Sequence, residues 1–146
     1  RKTYTNDVAL VSGTANSSGS NIKKIPFIHS VNWGVEGIYF YRLNLPEGAI
    51  LEKIYLDASP YGSNDTGIDG WTELHLMKNN SNIMQVSSMD VHDIRNNIFL
   101  SLEPSLTIEH ADYFISFLCR LVSNNSYDDF MAINRLFYIY SVETKL

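Results

Sequence analysis

Apolar and polar residues alternate with a period of two through most of this chain. That period belongs to half-buried β-strands, whose successive side chains point to opposite faces. The clearest case is 39–58. Tyr39, Tyr41, Leu43 and Leu45 share one face, and Ile50, Ile54, Leu56 and Ala58 share a face further on. Between them stands Leu45-Pro46-Glu47-Gly48-Ala49. Pro46 fixes its own φ and Gly48 can take a positive one, so one strand stops here and the next starts. The stretch reads as a hairpin. Glu52 falls on the apolar face of its second strand, which predicts a bulge near 51–53 or an exposed strand end.

The same pattern recurs along the chain. Tyr4, Asn6, Val8 and Leu10 alternate with Thr5, Asp7, Ala9 and Val11, and a small polar leash, Ser12 to Ser20, follows. This divides the chain into an N-terminal strand and leash, 1–20, and a main domain, 21–146. Ile22 to Ser30 is broken by Pro26, as an edge strand or a bend would be. Residues 59–70 read as a long polar loop. Leu74 and Leu76 point inward, 78–82 turn the chain, and Met84 and Val86 begin another strand. The polar stretch 89–97 reads as a short helical turn through Val91-His92-Asp93-Ile94. Phe99 to Leu102 form a strand that Glu103-Pro104-Ser105 interrupts. Tyr113 to Val122 is apolar on both faces, the mark of a central strand covered on two sides. The last strand carries Phe130, Ala132, Leu136, Tyr138, Tyr140 and Val142 on one face. About eight short strands with turn chemistry between them predict an all-β antiparallel β-sandwich of jelly-roll type, preceded by an extension strand.

Composition narrows the function more than the fold. With 146 residues, 45% of them hydrophobic, the chain can bury a core without metal or disulfide staples. Charged residues make up only 18%, and Ser, Asn and Thr supply much of the polarity, which suits an extracellular or surface setting. A net charge of −5 with only Lys23-Lys24 adjacent argues against nucleic acid as a partner. No apolar run is long enough to span a bilayer as a helix. Cys119, the one cysteine, excludes an internal disulfide and reads as a small core residue within its apolar strand. The chain opens on Arg1 rather than Met, as a processed or trimmed chain would.

Three segments carry a family resemblance: Leu45-Pro46-Glu47-Gly48-Ala49 before a strand, Thr107-Ile108 leading to Tyr113-Phe114-Ile115-Ser116-Phe117, and the terminal Leu136-Phe137-Tyr138-Ile139-Tyr140. Over roughly 38–142 the chain resembles a loose group of extracellular β-sandwich domains of bacterial surface proteins and phage or virus-like appendages. The resemblance implies a jelly-roll-like fold and an extracellular setting, and no particular activity.

Candidate chemistry sits in the loops. Trp33, Tyr61 and Trp71 offer flat rings that could stack on the apolar face of a sugar, or could cap the core. Asp65 and Asp69, in an oxygen-rich loop, could hold Ca²⁺, although their spacing does not match an EF-hand and a solvated turn is the favoured account of them. Asn16, Asn64, Asn79 and Asn124 head Asn-x-Ser/Thr sequons and are glycosylation candidates. The histidines His29, His75, His92 and His110 lack metal-ligand spacing, and no nucleophile signature accompanies His92-Asp93 or His110-x-Asp112. A non-enzymatic structural subunit is therefore expected, in which residues 3–12 add to a neighbouring copy's sheet through Tyr4, Val8 and Leu10 and build a filament, sheath or appendage. The alternative is a carbohydrate-binding or receptor-binding sandwich, including a phage fibre or capsid decoration protein.

Overall fold

A computed structural model describes residues 1–8, 24–25, 28–32, 36–61, 68–88, 91–94, 96–121 and 130–144, and side chains within 1–8, 40–59, 72–88, 96–118 and 133–144. Among the described residues twelve strands follow one another: β1 (Lys2–Asp7), β2 (Lys24–Ile25), β3 (Ile28–Asn32), β4 (Glu36–Arg42), β5 (Ile50–Tyr61) and β6 (Ile68–Lys78), then β7 (Ser81–Ser87), β8 (Val91–Ile94), β9 (Ile98–Leu102), β10 (Leu106–Thr107), β11 (Tyr113–Leu121) and β12 (Phe130–Val142). They form two antiparallel sheets packed as a jelly-roll-like sandwich. In the first, β5 and β12 run side by side as the spine; β9 and β10 line the free side of β5, while β1 and β3 line that of β12. In the second, β11 lies between β4 and β6, and β7 and β8 both pair with β6.

Alternation decides what each sheet buries. Leu51, Ile54 and Leu56 of β5 and Leu136 of β12 meet Leu74 and Leu76 of β6 and Ile115 and Phe117 of β11, all fully buried. Each such side chain contributes about 1.5–3 kcal/mol relative to exposure. Tyr41 stacks on Phe117 with ring centroids 5.9 Å apart, and burial pushes its hydroxyl pKa up to about 12. The central place expected for 113–122 is the place β11 takes.

The expected hairpin at 39–58 is not a hairpin. β4 pairs with β11 in the second sheet, whereas β5 pairs with β12 in the first, so residues 43–49 carry the chain from one sheet to the other. The turn itself is as expected: Ala49 N–H donates to Pro46 O at 3.1 Å, with Gly48 at φ 90°. Gly48 and Ile108 N–H groups donate to Ile108 and Ala49 carbonyls at 2.9 and 2.7 Å, anchoring the corner. Leu43 and Ala49 are buried within it. Turn chemistry specifies a reversal; burial of the corner residues decides which sheet receives the next strand.

Two bulges shape the spine. Glu52 is the extra residue between Lys53↔Ile139 and Leu51↔Tyr140, which answers its misplaced charge. Asn134 is a second, between Ile133↔Ala58 and Arg135↔Asp57, and it turns Ile133 into the core against the simple alternation expected of β12. Two further expectations change. Residues 91–94 are strand β8 rather than a helical turn, paired with β6. The loop expected over 59–70 is shorter, because β5 continues to Tyr61 and β6 begins at Ile68.

β1 finds its partner inside its own chain, where sequence analysis expected a neighbour. Its register on β12 runs from Lys2↔Val142 to Asp7↔Phe137. Tyr4 stacks on Tyr140 at 5.2 Å, Val8 N–H donates to Leu136 O at 2.8 Å, and Arg1 reaches Glu143 at 3.1 Å. The physical reason is an open edge: β3 covers only Phe130 to Ala132 of β12, leaving its other end free for β1. Leu10 and the leash lie outside the described residues.

Candidate functional site

The outward face of the first sheet carries rings where an amphipathic strand would carry polar groups. Tyr55 stands between buried Ile54 and Leu56, Phe137 between Leu136 and Tyr138, and Phe99 between Ile98 and Leu100. Alternation therefore points all three away from the core. Strand order does the rest. β9, β5 and β12 are consecutive neighbours, so the rings form a strip, with centroids 6.1 Å apart from Phe99 to Tyr55 and 5.2 Å from Tyr55 to Phe137. Phe99 remains 57% exposed.

Polar groups frame the strip. Lys53 Nζ lies 5.4 Å from the Tyr55 ring centre, and the Arg135 guanidinium lies 4.1 Å from that of Phe137. Arg135 is also held by Asp7, with Nε donating to Oδ1 at 2.6 Å and a terminal nitrogen to Oδ2 at 3.2 Å. That bond lowers the Asp7 pKa and raises that of Arg135. Directly opposite Phe99 stands Asp57. Its Oδ1 accepts from Asn97 Nδ2 at 3.3 Å and from the bulge residue's amide, Asn134 Nδ2, at 3.4 Å. Ser59 Oγ donates to Asn97 Oδ1 at 3.1 Å and accepts from Asn134, closing the network. Flat apolar area beside hydrogen-bond groups of fixed direction suits a ligand with one apolar face and a polar rim.

A concavity of about 420 Å³ opens elsewhere, near the 43–49 corner, and is lined by Arg42, Glu47, Asn79, Glu109, His110 and Asp112 among others. Its charges are largely committed to one another. Arg42 pairs with Asp112 at 2.6 Å and Lys78 with Glu109; the latter bond raises the lysine pKa and lowers the glutamate's. Asn79 fastens this end by donating its N–H to Asp112 O at 2.6 Å and accepting from Asp112 N–H at 3.2 Å.

The residues singled out from sequence fare unevenly. Trp33, Asp65, Asn16, Asn64 and Asn124 lie outside the described residues, as do the side chains of Tyr61, Asp69, Trp71 and Cys119. Tyr61 ends β5 in the first sheet, whereas Asp69 and Trp71 sit in β6 of the second. Asn79 is exposed in the turn between β6 and β7, at φ 55°. His75 has Glu73 3.8 Å away, and His110 has Glu47 at 4.0 Å. Among the described residues no group of three or more His, Cys, Asp or Glu side chains could hold a metal ion. No helix among them is long and apolar enough to cross a membrane. Tyr55, Phe99 and Phe137 were missed. Their signal was an aromatic on the wrong side of an alternating strand, but only the strand order shows that three such positions converge.

No protein-family model matches the chain, and comparison with curated proteins returns no match. Solved structures do resemble it. A family 61 carbohydrate-binding module in complex with β-1,4-galactotriose superposes with a TM-score of 0.53 at 11% identity, over 77% of this chain and 67% of that one. A CBM36 domain of a multidomain xylanase, from the hindgut metagenome of Trinervitermes trinervoides, gives a TM-score of 0.40 at 8% identity, over 98% and 100%. A CBM36 module in complex with calcium and xylotriose gives 0.36 at 8% identity, over 95% and 99%. The first of these supports the sandwich fold.

Proposed function

We propose that this chain is a non-catalytic glycan-binding module that works outside the cell or on a surface. The observation that carries it is the Phe99–Tyr55–Phe137 strip beside the hydrogen-bonded Asp57. A sugar ring has a C–H face that stacks on an aromatic and hydroxyls that meet carboxylates and amides at its rim. The fold agrees with this use, since the module bound to β-1,4-galactotriose shares it. The polar, sparsely charged composition agrees with an extracellular setting. Self-assembly through residues 3–12 is the lesser reading, because β1 already has a partner strand in β12.

Binding to an immobilised glycan array, followed by affinity electrophoresis in soluble polysaccharide, tests the proposal. The unmodified chain is expected to bind, and Phe99→Ala to weaken binding about tenfold, as loss of one good aromatic contact would. A blank array and unretarded migration in every polysaccharide would sink it. Light scattering should show a monomer; a polymer abolished by deleting residues 1–8 would restore the assembly reading.

A further inference from the structure

We infer that the outward face of the first sheet takes an uncharged sugar, one ring stacked on Phe99 with neighbouring hydroxyls donated to the Asp57 carboxylate. The inference rests on the glycan-binding reading and names its substrate class. Phe99 and Asp57 are directly opposed across β9 and β5, so their Cβ atoms stand about 4.5–5.5 Å apart. A pyranose lying on the Phe99 ring therefore presents its rim to that carboxylate. Oδ1 already accepts from Asn97 and Asn134, whereas Oδ2 accepts no bond among the described residues. Ser59 ties both amides, so the acceptor is oriented before any ligand arrives.

Charge selects against acidic sugars. Among the described side chains, Lys53, Arg135, Asp7 and Asp57 stand beside the strip and their charges cancel, in a chain whose net charge is −5. Arg135 is held by Asp7 and lies over Phe137, while Lys53 lies over Tyr55 on the far side of that ring from Asp57's strand position. The acceptor beside the exposed ring is itself an anion. A uronate or sulfate placed there would meet a like charge, and Arg135, the cation directly across from Asp57, is already paired with Asp7. A neutral ligand rich in hydroxyl donors is the complement.

The test is affinity electrophoresis and calorimetry of the full chain against neutral galactan, xylan, mannan and mixed-linkage glucan, beside polygalacturonate and carboxymethyl cellulose. A neutral polysaccharide is expected to bind, with affinity unchanged in about 0.5 M NaCl. Asp57→Asn and Phe99→Ala should each weaken binding about tenfold while thermal melting shows a folded domain. Side-chain amide NMR shifts of Asn97 and Asn134 on titrating the bound oligosaccharide into the unmodified chain give a readout independent of either variant. Preference for the polyanions, with affinity falling as salt rises, would overturn the inference. So would a neutral ligand that binds both variants undiminished and leaves the two amides unmoved; glycan binding would then stand, at another site. Binding to nothing in the panel would remove the glycan reading and this inference together.

Discussion

The two faces of β5 come from alternate residues of one twelve-residue strand and do opposite things. Inward, Ile54, Leu56 and Ala58 are fully buried among the side chains of the facing sheet. Outward, Lys53, Tyr55 and Asp57 engage a ring, two rings and two amides respectively. The inner face is a continuous apolar surface whose energy scales with buried area and needs little specificity. The outer face is a mosaic in which direction matters, because each polar group is fixed by a particular neighbour. One face accounts for stability and the other for recognition, and the comparison can be broken by single substitutions.

The largest effect is expected from inside. Leu56→Ala removes a fully buried side chain opposed to Leu136, and should cost about 2–5 kcal/mol in a urea titration. Phe99→Ala, one position along the neighbouring strand from Leu56's partner Leu100 and facing outward, should cost no more than about 1 kcal/mol, because the ring is 57% exposed and loses a contact with Tyr55 rather than a buried site. If the two variants destabilise equally, the outward strip is a second core layer, and the separation between the faces fails.

Much of the inner face was legible from sequence and little of the outer one. Period-two alternation marks Ile54, Leu56, Leu74, Leu76 and Leu136 directly, because burial of every second residue is a local signal. Glu52 even betrays its bulge, since a charge on the buried face has to be accommodated. What alternation cannot carry is partnership. The reversal at Pro46–Gly48 reads alike whether the next strand joins the same sheet or the opposite one, and the structure chooses the opposite one. The strip was hidden for the same reason: Phe99, Tyr55 and Phe137 are 38 to 82 residues apart and meet only through strand order. Of the loop rings Trp33, Tyr61 and Trp71, the backbones of the last two lie in β5 and β6, and all three side chains fall outside the described residues.

Ser141 blurs the boundary and offers a smaller test. Alternation along β12 from Leu136, Tyr138 and Tyr140 turns it outward, yet it is fully buried and its Oγ has no hydrogen-bond partner among the described residues. A buried hydroxyl without a partner costs about 1–3 kcal/mol in desolvation. Ser141→Ala removes that cost along with a small contact, so a net gain of about 1 kcal/mol is expected, or about 2–4 °C in Tm. A loss of stability would show that the hydroxyl is satisfied in solution and that the outer face is wetter there.

The smallest effect is expected where the outer face meets the edge strand. Asp7 bonds Arg135 across β1 and β12, and that bond, opposed by slight desolvation, holds its carboxyl below the usual value of 3.8. A depressed folded value stabilises the pairing fully above pH 3.8, and the stabilisation is lost as pH falls through the folded value. Both partners are more than half exposed, so solvent screens most of the energy, and global stability should barely respond. The local response is the informative one. β1 is an edge strand with mostly exposed side chains, and its hydrogen bonds can open without disturbing the core. Amide exchange followed from about pH 5 to about pH 2 should, after correction for intrinsic rates, show β1 losing protection below about pH 4 while β11 keeps its own. Asp7→Asn should flatten that dependence. If β1 in the unmodified chain keeps its protection throughout, backbone pairing and the Tyr4–Tyr140 stack hold the edge without the ion pair, and the charged frame around the strip serves recognition alone.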